Sequence, residues 1–201
     1  MAASVGAALR HGSLRAAIGA AWLFGAGIPA LAAQAQELPP PAYQLAAQQA
    51  GVPSPVLYAV ALQESGAKLR GRLIPWPWTL NVAGQSERYA TRAAACAGLR
   101  RALARAPASR IDAGLGQVNL GYQAHRYNAP CELLDPYRNL AIAADILREQ
   151  HLPGEDWLLA IGRYHRPAGG AAAANYRRSV HQHLTRVLGP GVPLSSMSTT
   201  P

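Results

Sequence analysis

The sequence predicts a mostly helical α+β domain, a bundle of helices with one small β-hairpin at its side. Three observations carry this. Apolar residues recur at helical spacing through the last third: Leu140, Ala143, Ala144 and Leu147; Trp157, Ala160, Ile161 and Tyr164; Tyr176, Val180, Leu184 and Val187. Alanine-rich stretches at 43–50 and 93–105 favour helix by intrinsic propensity. Between them Pro75 and Pro77 exclude helix, and residues 79–82, a turn at Gly84 and residues 88–91 read as the two arms of a hairpin.

The elements follow in chain order. Residues 1–35 read as an export signal: Arg10 and Arg15 form a basic start, residues 16–28 are apolar, and Ala30-Leu31-Ala32 or Ala33-Gln34-Ala35 offers a small-residue cleavage site. The apolar run holds Gly19, Gly25 and Gly27, stops at Pro29, and is shorter than the ~20 residues of a bilayer span. The expected location is therefore the periplasm, reached through a cleaved signal. Residues 36–42 form a proline-rich lead-in, residues 43–188 the domain, and residues 189–201 a tail without periodicity. Within the domain, Ser54 before Pro55 is a helix start signal, and Gly66 ends that helix. Residues 109–119 read as a glycine-punctuated loop, and Asp135-Pro136 opens the next helix.

The chain carries a net charge of +9; without the first 35 residues, 17 basic against 10 acidic side chains leave +7. Nucleic acid is the usual partner of such a charge. The arginines are scattered, however, as at Arg100, Arg101, Arg105 and Arg110, with no basic run interleaved with aromatics. No nucleic-acid partner is expected, and an anionic cell wall or membrane surface suits an exported chain better. Export also places Cys96 and Cys131 in an oxidising compartment, where two thiols of one small domain pair. The alternative is two separate buried cysteines. No metal or cofactor is expected: His181 and His183 point to different helix faces, and His125, His151 and His165 lack acidic neighbours at ligand spacing.

Glu64 is the only acidic residue between Glu37 and Glu87, and it closes an otherwise apolar helix. The negative end of the helix dipole disfavours its ionisation, and burial against Leu57 and Val60 acts the same way. A carboxylic acid that keeps its proton near neutral pH is what cleavage of a glycosidic bond requires. The plainer alternative is a surface glutamate at a frayed helix end.

Five segments, in order, bear on that choice. Ala61-Leu62-Gln63-Glu64-Ser65, Gly114-Leu115-Gly116-Gln117-Val118-Asn119, Leu134-Asp135-Pro136-Tyr137-Arg138-Asn139-Leu140, Ala160-Ile161-Gly162-Arg163-Tyr164-His165 and Tyr176-Arg177-Arg178-Ser179-Val180 span the domain. Together they resemble the motifs of the soluble lytic transglycosylase family. The resemblance implies a lysozyme-like fold, helices around a glycan cleft with a small β element at one side. It implies peptidoglycan glycan strands as substrate, with Glu64 as the single acid/base. Gln117, Asn119 and Tyr164 would line the cleft, binding acetamido groups or orienting the glutamate. Ser65 belongs to the same set and is expected to bond local backbone.

In that chemistry Glu64 protonates the bond between N-acetylmuramic acid and N-acetylglucosamine, and the muramic C6 hydroxyl closes a 1,6-anhydro ring. A muramidase on the same fold would need a second carboxylate at roughly 5–9.5 Å. Asp112 is the first candidate for one and Glu87 the second. A non-catalytic glycan-binding or scaffold protein is the third reading, since fold does not guarantee activity. The chain departs from the family pattern at Gly116, where methionine is common, and at Tyr164-His165-Arg166-Pro167, where the family has Tyr-Asn-Ala-Gly. These departures, with Pro75-Trp76-Pro77-Trp78, resemble a subgroup that accompanies conjugation, type IV secretion and type IV pilus machines. Trp76 and Trp78 would either stack on sugar rings or pin their loop to the core.

Overall fold

A computed structural model describes residues 37–189. The predicted export signal and the tail beyond Gly189 lie outside the described residues. Those that are described form an α+β unit of six helices and two small antiparallel sheets: α1 (Pro41–Ala50), α2 (Ser54–Ser65), β1 (Gly66–Leu69), β2 (Arg72–Pro75), β3 (Thr79–Val82), β4 (Gln85–Arg88), α3 (Arg92–Leu103), β5 (Ile111–Ala113), β6 (Val118–Asn119), α4 (Pro136–Glu149), α5 (Trp157–His165) and α6 (Gly170–Leu188).

The single hairpin of the sequence reading is corrected in three ways. β1 and β2 pair as a separate two-stranded sheet, with Gly66 opposite Pro75 and Leu69 opposite Arg72. The second arm of the predicted hairpin is Gln85–Arg88, because Ala83-Gly84 makes a tight turn with both residues at positive φ and so starts the return strand early. Residues 109–119, read as a loop, supply β5 and β6, which extend that hairpin into a four-stranded sheet of order β4-β3-β5-β6. Strands of two or three residues give no alternation for a sequence pattern to detect.

Two apolar cores result. α1, α2, α4, α5 and α6 enclose one, with Leu57, Leu62, Leu140, Leu147, Ile161 and Leu184 fully buried. The four-stranded sheet, α3 and the turn before α4 enclose the other, around Leu80, Leu99, Ile111, Leu120 and Leu133. α4 belongs to both, turning Leu140, Ala143, Ala144 and Leu147 to the first and Ile142 and Ile146 to the second. Its start is capped as predicted: the Asp135 carboxylate accepts from the Tyr137 and Arg138 amides, with Pro136 at the first position. Ser54, by contrast, is the first residue of α2 rather than its cap; Pro53 takes the cap position and no side chain bonds there.

The proline-rich lead-in docks on the domain. The Glu37 amide donates to Val187 O at 3.0 Å, its carboxylate accepts from the Tyr58 hydroxyl, and Arg186 pairs with it at 3.2 Å. Cys96 in α3 and Cys131 before α4 are joined by a disulfide across 35 positions, tying the helix after the sheet to the segment entering α4. No helix among the described residues is long and apolar enough to cross a membrane.

Candidate active site

α2 runs through the helical core and ends at Ser65 because Gly66 lets the chain turn off beside its last carbonyls. A Cβ at Gly66 would lie 2.3 Å from Leu62 O, so only glycine allows β1 to leave at that point. The turn leaves Glu64 at the mouth of a polar cleft of about 260 Å³, lined by Glu64, Asn81, Asp112, Gln117 and His165. Burial raises the Glu64 carboxyl from the usual range to about 7; the hydrogen bond from Tyr176 works against that rise and the nearby Asp112 adds to it. The Tyr176 hydroxyl donates to Glu64 Oε1 at 2.5 Å. The His165 ring stacks on the Tyr176 ring, with centroids 4.5 Å apart and planes within 12°, so α5 and α6 together fix the phenol that holds the carboxyl.

The opposite wall is the sheet. Strand register sets Ser86, Asn81, Asp112 and Asn119 in one row across β4, β3, β5 and β6. Residues directly opposite share a face, and their neighbours along the strands, Leu80, Val82, Ile111, Ala113 and Val118, fill the core on the other side. The row is thus the polar face of the sheet. Asp112 is half-buried, and burial pushes its carboxyl up, opposed by the bond from Asn119 and by His165.

The loop between β5 and β6 is held from below by Asn139 of α4, whose amide is completely buried. Asn139 Nδ2 donates to Ala113 O (2.9 Å) and Leu133 O (2.8 Å), and its Oδ1 accepts from the Gly116 amide at 2.8 Å. Gly116 has no room for a side chain: a Cβ there would lie 2.6 Å from the Ala143 Cβ and 2.9 Å from the Tyr164 hydroxyl. Tyr164 therefore occupies the space a larger residue would take. The loop then places Gln117 in the left-handed region at φ 45°, a conformation costing non-glycine residues about 1 kcal/mol or more. Gln117 Nε2 donates to Thr79 O and Gly114 O, so its amide is braced where it meets the cleft.

The structure brings Glu64, Gln117 and Asp112 together and gives other work to the remaining predicted residues. The Tyr164 hydroxyl donates to Gly116 O at 2.6 Å; the side chain is half-buried against both cores, and desolvation and then Glu64 and Asp112 raise its pKa well above normal. Ser65 is buried, with its Oγ 2.8 Å from Leu115 O and 3.0 Å from Ala61 O. The bond to Ala61 O is the local one expected, and the bond to Leu115 O also links the end of α2 to the Gln117 loop. Asn119 does not line the cleft. Its Nδ2 donates to Asp112 Oδ1 (2.8 Å) and Ser109 O, while its Oδ1 accepts from the Gly121 and Tyr122 amides.

Glu87 faces elsewhere: Tyr89 and Arg105 both donate to its carboxylate. Trp76 donates through Nε1 to Tyr89 O and meets Trp78 edge to face, lining a separate open groove with Ala67, Leu69 and Tyr89. Trp78 packs against the sheet core. Among the described residues no three His, Cys, Asp or Glu side chains gather as metal ligands.

Sequence reasoning missed Tyr176, His165 and Asn81 as site residues. Tyr176 sits at an apolar helical spacing and reads as core; only its hydroxyl, which a buried tyrosine must satisfy, could have marked it. No protein-family model, curated protein or solved structure matches this chain.

Proposed function

We propose that this chain is a peptidoglycan lytic transglycosylase of lysozyme-like fold that cleaves the bond between N-acetylmuramic acid and N-acetylglucosamine with Glu64 as its one acid/base. The observation that carries the reading is a carboxyl with a pKa near 7, enclosed at a helix end, held by Tyr176 and opening into a polar cleft. Such a group is half-loaded at neutral pH and can serve as acid and then as base. The five motif segments support the substrate class. A helical core facing a small sheet across the cleft supports the fold. Export to the periplasm and service to a conjugation, secretion or pilus machine rest on the sequence alone.

The reaction balances on one carboxyl. Glu64 gives its proton to the glycosidic oxygen as the bond from muramic C1 to that oxygen breaks, and the acetylglucosamine hydroxyl leaves. The substrate's own acetamido oxygen bonds to C1 and takes up the positive charge. The Glu64 carboxylate then removes the proton of the C6 hydroxyl. That oxygen bonds to C1, the acetamido oxygen departs, and Glu64 is again protonated. No water is consumed, and the intramolecular attack has a large effective-concentration advantage over solvent.

A second reading is favoured by one observation: Asp112 lines the same cleft as Glu64. If it activated water, the protein would be a muramidase. The ends of digested glycan decide. The transglycosylase leaves 1,6-anhydro muramic ends, lighter by one water than the reducing ends of a hydrolase. Mass spectrometry that finds mainly reducing ends overturns the proposal.

A further inference from the structure

Two unpaired strand edges border the open groove beside Trp76. β1 pairs only with β2, and β4 lies at the end of its own sheet. In an antiparallel pair the hydrogen-bonded residues alternate, so the register tells which backbone groups turn outward. The Trp76 amide donates to Ser65 O at 3.0 Å, and the Ala67–Ile74 pair and the Leu69–Arg72 pair at the Arg70-Gly71 turn follow in the same phase. Gly66 and Lys68 therefore present their amides and carbonyls away from β2. Arg88 Nη2 meets Gly66 O on that outward side, at 2.9 Å. On β4 the Tyr89 amide bonds to Trp78 O, which turns the backbone of Arg88 outward in the same way. No backbone hydrogen bond among the described residues uses the outward amide or carbonyl of Lys68 or Arg88.

The groove between these edges holds about 280 Å³ and is mainly apolar. Ala67 and Leu69 form one wall, Leu69 being 48 % exposed, and Tyr89 and Ala90 form the other. Trp76 joins the two: it follows β2 directly, and its indole N–H donates to Tyr89 O at 2.7 Å. The groove is thus held open by the fold itself, and a ligand entering it has little protein to order. Its rim is cationic. Lys68, Arg70 and Arg88 are exposed, and none pairs with a carboxylate among the described residues, whereas Arg72 beside them pairs with Glu37.

We propose that this groove is a docking site for an extended, acidic segment of a partner protein, which adds to β1 as a third strand, seats an apolar side chain on Trp76 and sets carboxylates against Lys68 and Arg88. In strand addition the main-chain bonds supply affinity and the alternate side chains supply selectivity. The same features turn away other occupants. A glycan could stack on Trp76 but has no peptide backbone to pair with the amide and carbonyl of Lys68. A second copy of this chain would bring the same three cations to the same edge, and like charges placed opposite each other oppose pairing. The groove shares no residue with the cleft of Glu64, although β1 begins two residues after it, so a docked segment covers none of the cleft residues. The inference therefore stands apart from the reading of Glu64 and is tested by binding alone.

The test is fluorescence polarisation of labelled peptides with the full chain at physiological salt. The probe is a seven-residue peptide of alternating glutamate and valine. One control replaces every glutamate by lysine. Two others keep the side chains and N-methylate alternate amides, one in each phase. The acidic probe should bind; the lysine peptide and at least one N-methylated peptide should bind roughly ten-fold more weakly or worse. Reversing the rim with Lys68→Glu and Arg88→Glu together, both at exposed positions, should weaken the acidic probe by roughly ten-fold and strengthen the lysine peptide. That gain shows that the groove is still formed. Exchange of the Lys68 amide hydrogen should slow when the acidic probe is added. Absence of binding, both N-methylated peptides as tight as the parent, or unchanged exchange at Lys68 overturns the proposal. So does displacement of the probe by N-acetylglucosamine oligomers, which gives the groove to a glycan. A dimer in sedimentation that the charge reversal abolishes gives it to a second copy and overturns the proposal equally.

Discussion

At Glu64 one carboxyl must hold a proton near neutral pH inside a folded domain, and that requirement works against stability. Its folded pKa, about 7, lies above the ordinary 4.5. Below pH 4.5 it is protonated in both states and costs nothing. As pH rises from 4.5 to 7 the unfolded chain loses the proton first, so stability falls, by on the order of 3 kcal/mol in all, and levels off above 7. Glu64→Gln should therefore abolish wall cleavage, by ~10²–10⁴-fold, yet melt at a higher temperature than wild type above pH 7, with the gap closing towards pH 5. Calorimetry across that range checks it; a variant less stable than wild type at pH 8 would mean that the carboxyl is not strained. Tyr176→Phe makes a complementary case. Its hydroxyl favours the ionised carboxyl, so losing it should raise the alkaline limb of the pH profile. Glu64 was singled out in the sequence by the family-like segments around it; its isolation at the end of an apolar helix left a surface glutamate as the plainer alternative. Tyr176 was not, because a core tyrosine and one that holds a carboxyl share one spacing pattern.

Helices were the legible elements and strands were not, for a reason of length. α4 announces itself by its Asp135-Pro136 start and by an apolar face sustained over 14 residues. β5 and β6 have three and two residues, too few for alternation to show, and they exist because β3 offers a partner and Asn139 ties down the loop between them. That amide is an element-scale device: one side chain of α4 satisfies the Gly116 amide and two carbonyls in a buried place. Asn139→Ala should strand all three groups and cost about 3 kcal/mol or more, read as a fall in the denaturant midpoint. Activity should drop further than stability, since Gln117 sits one residue past the bonded amide. An Asn139→Ala protein that unfolds at the wild-type midpoint would remove Asn139 from this role. The position was visible in the sequence as part of a motif, but its function as a tie between helix and sheet loop could be seen only when both elements were in place.

On the scale of the whole molecule, two cores share α4, and the candidate site lies where they meet. Glu64, His165 and Tyr176 come from the helical side, and Asn81, Asp112 and Gln117 from the sheet side. The covalent link between Cys96 and Cys131 belongs to the sheet side alone. By chain-entropy arguments a loop of this length contributes about 4 kcal/mol. Reduction should therefore loosen the sheet core while the helical core keeps its secondary structure. The expected result is a reduced protein whose helical circular dichroism persists to temperatures at which glycan cleavage has already been lost. Coincident loss of both signals would show that the cores unfold as one.

The two half-cystines bracket the cleft residues Asp112 and Gln117, whereas Glu64, Asn81 and His165 lie outside the bracket. Until the disulfide closes, the stretch of wall that carries Asp112 and Gln117 is unclasped. The proposed wall-cutting activity, assembled in this order, would have a built-in latency. That activity would rise as the thiols are oxidised, and a copy kept among reducing partners would remain a weak cutter.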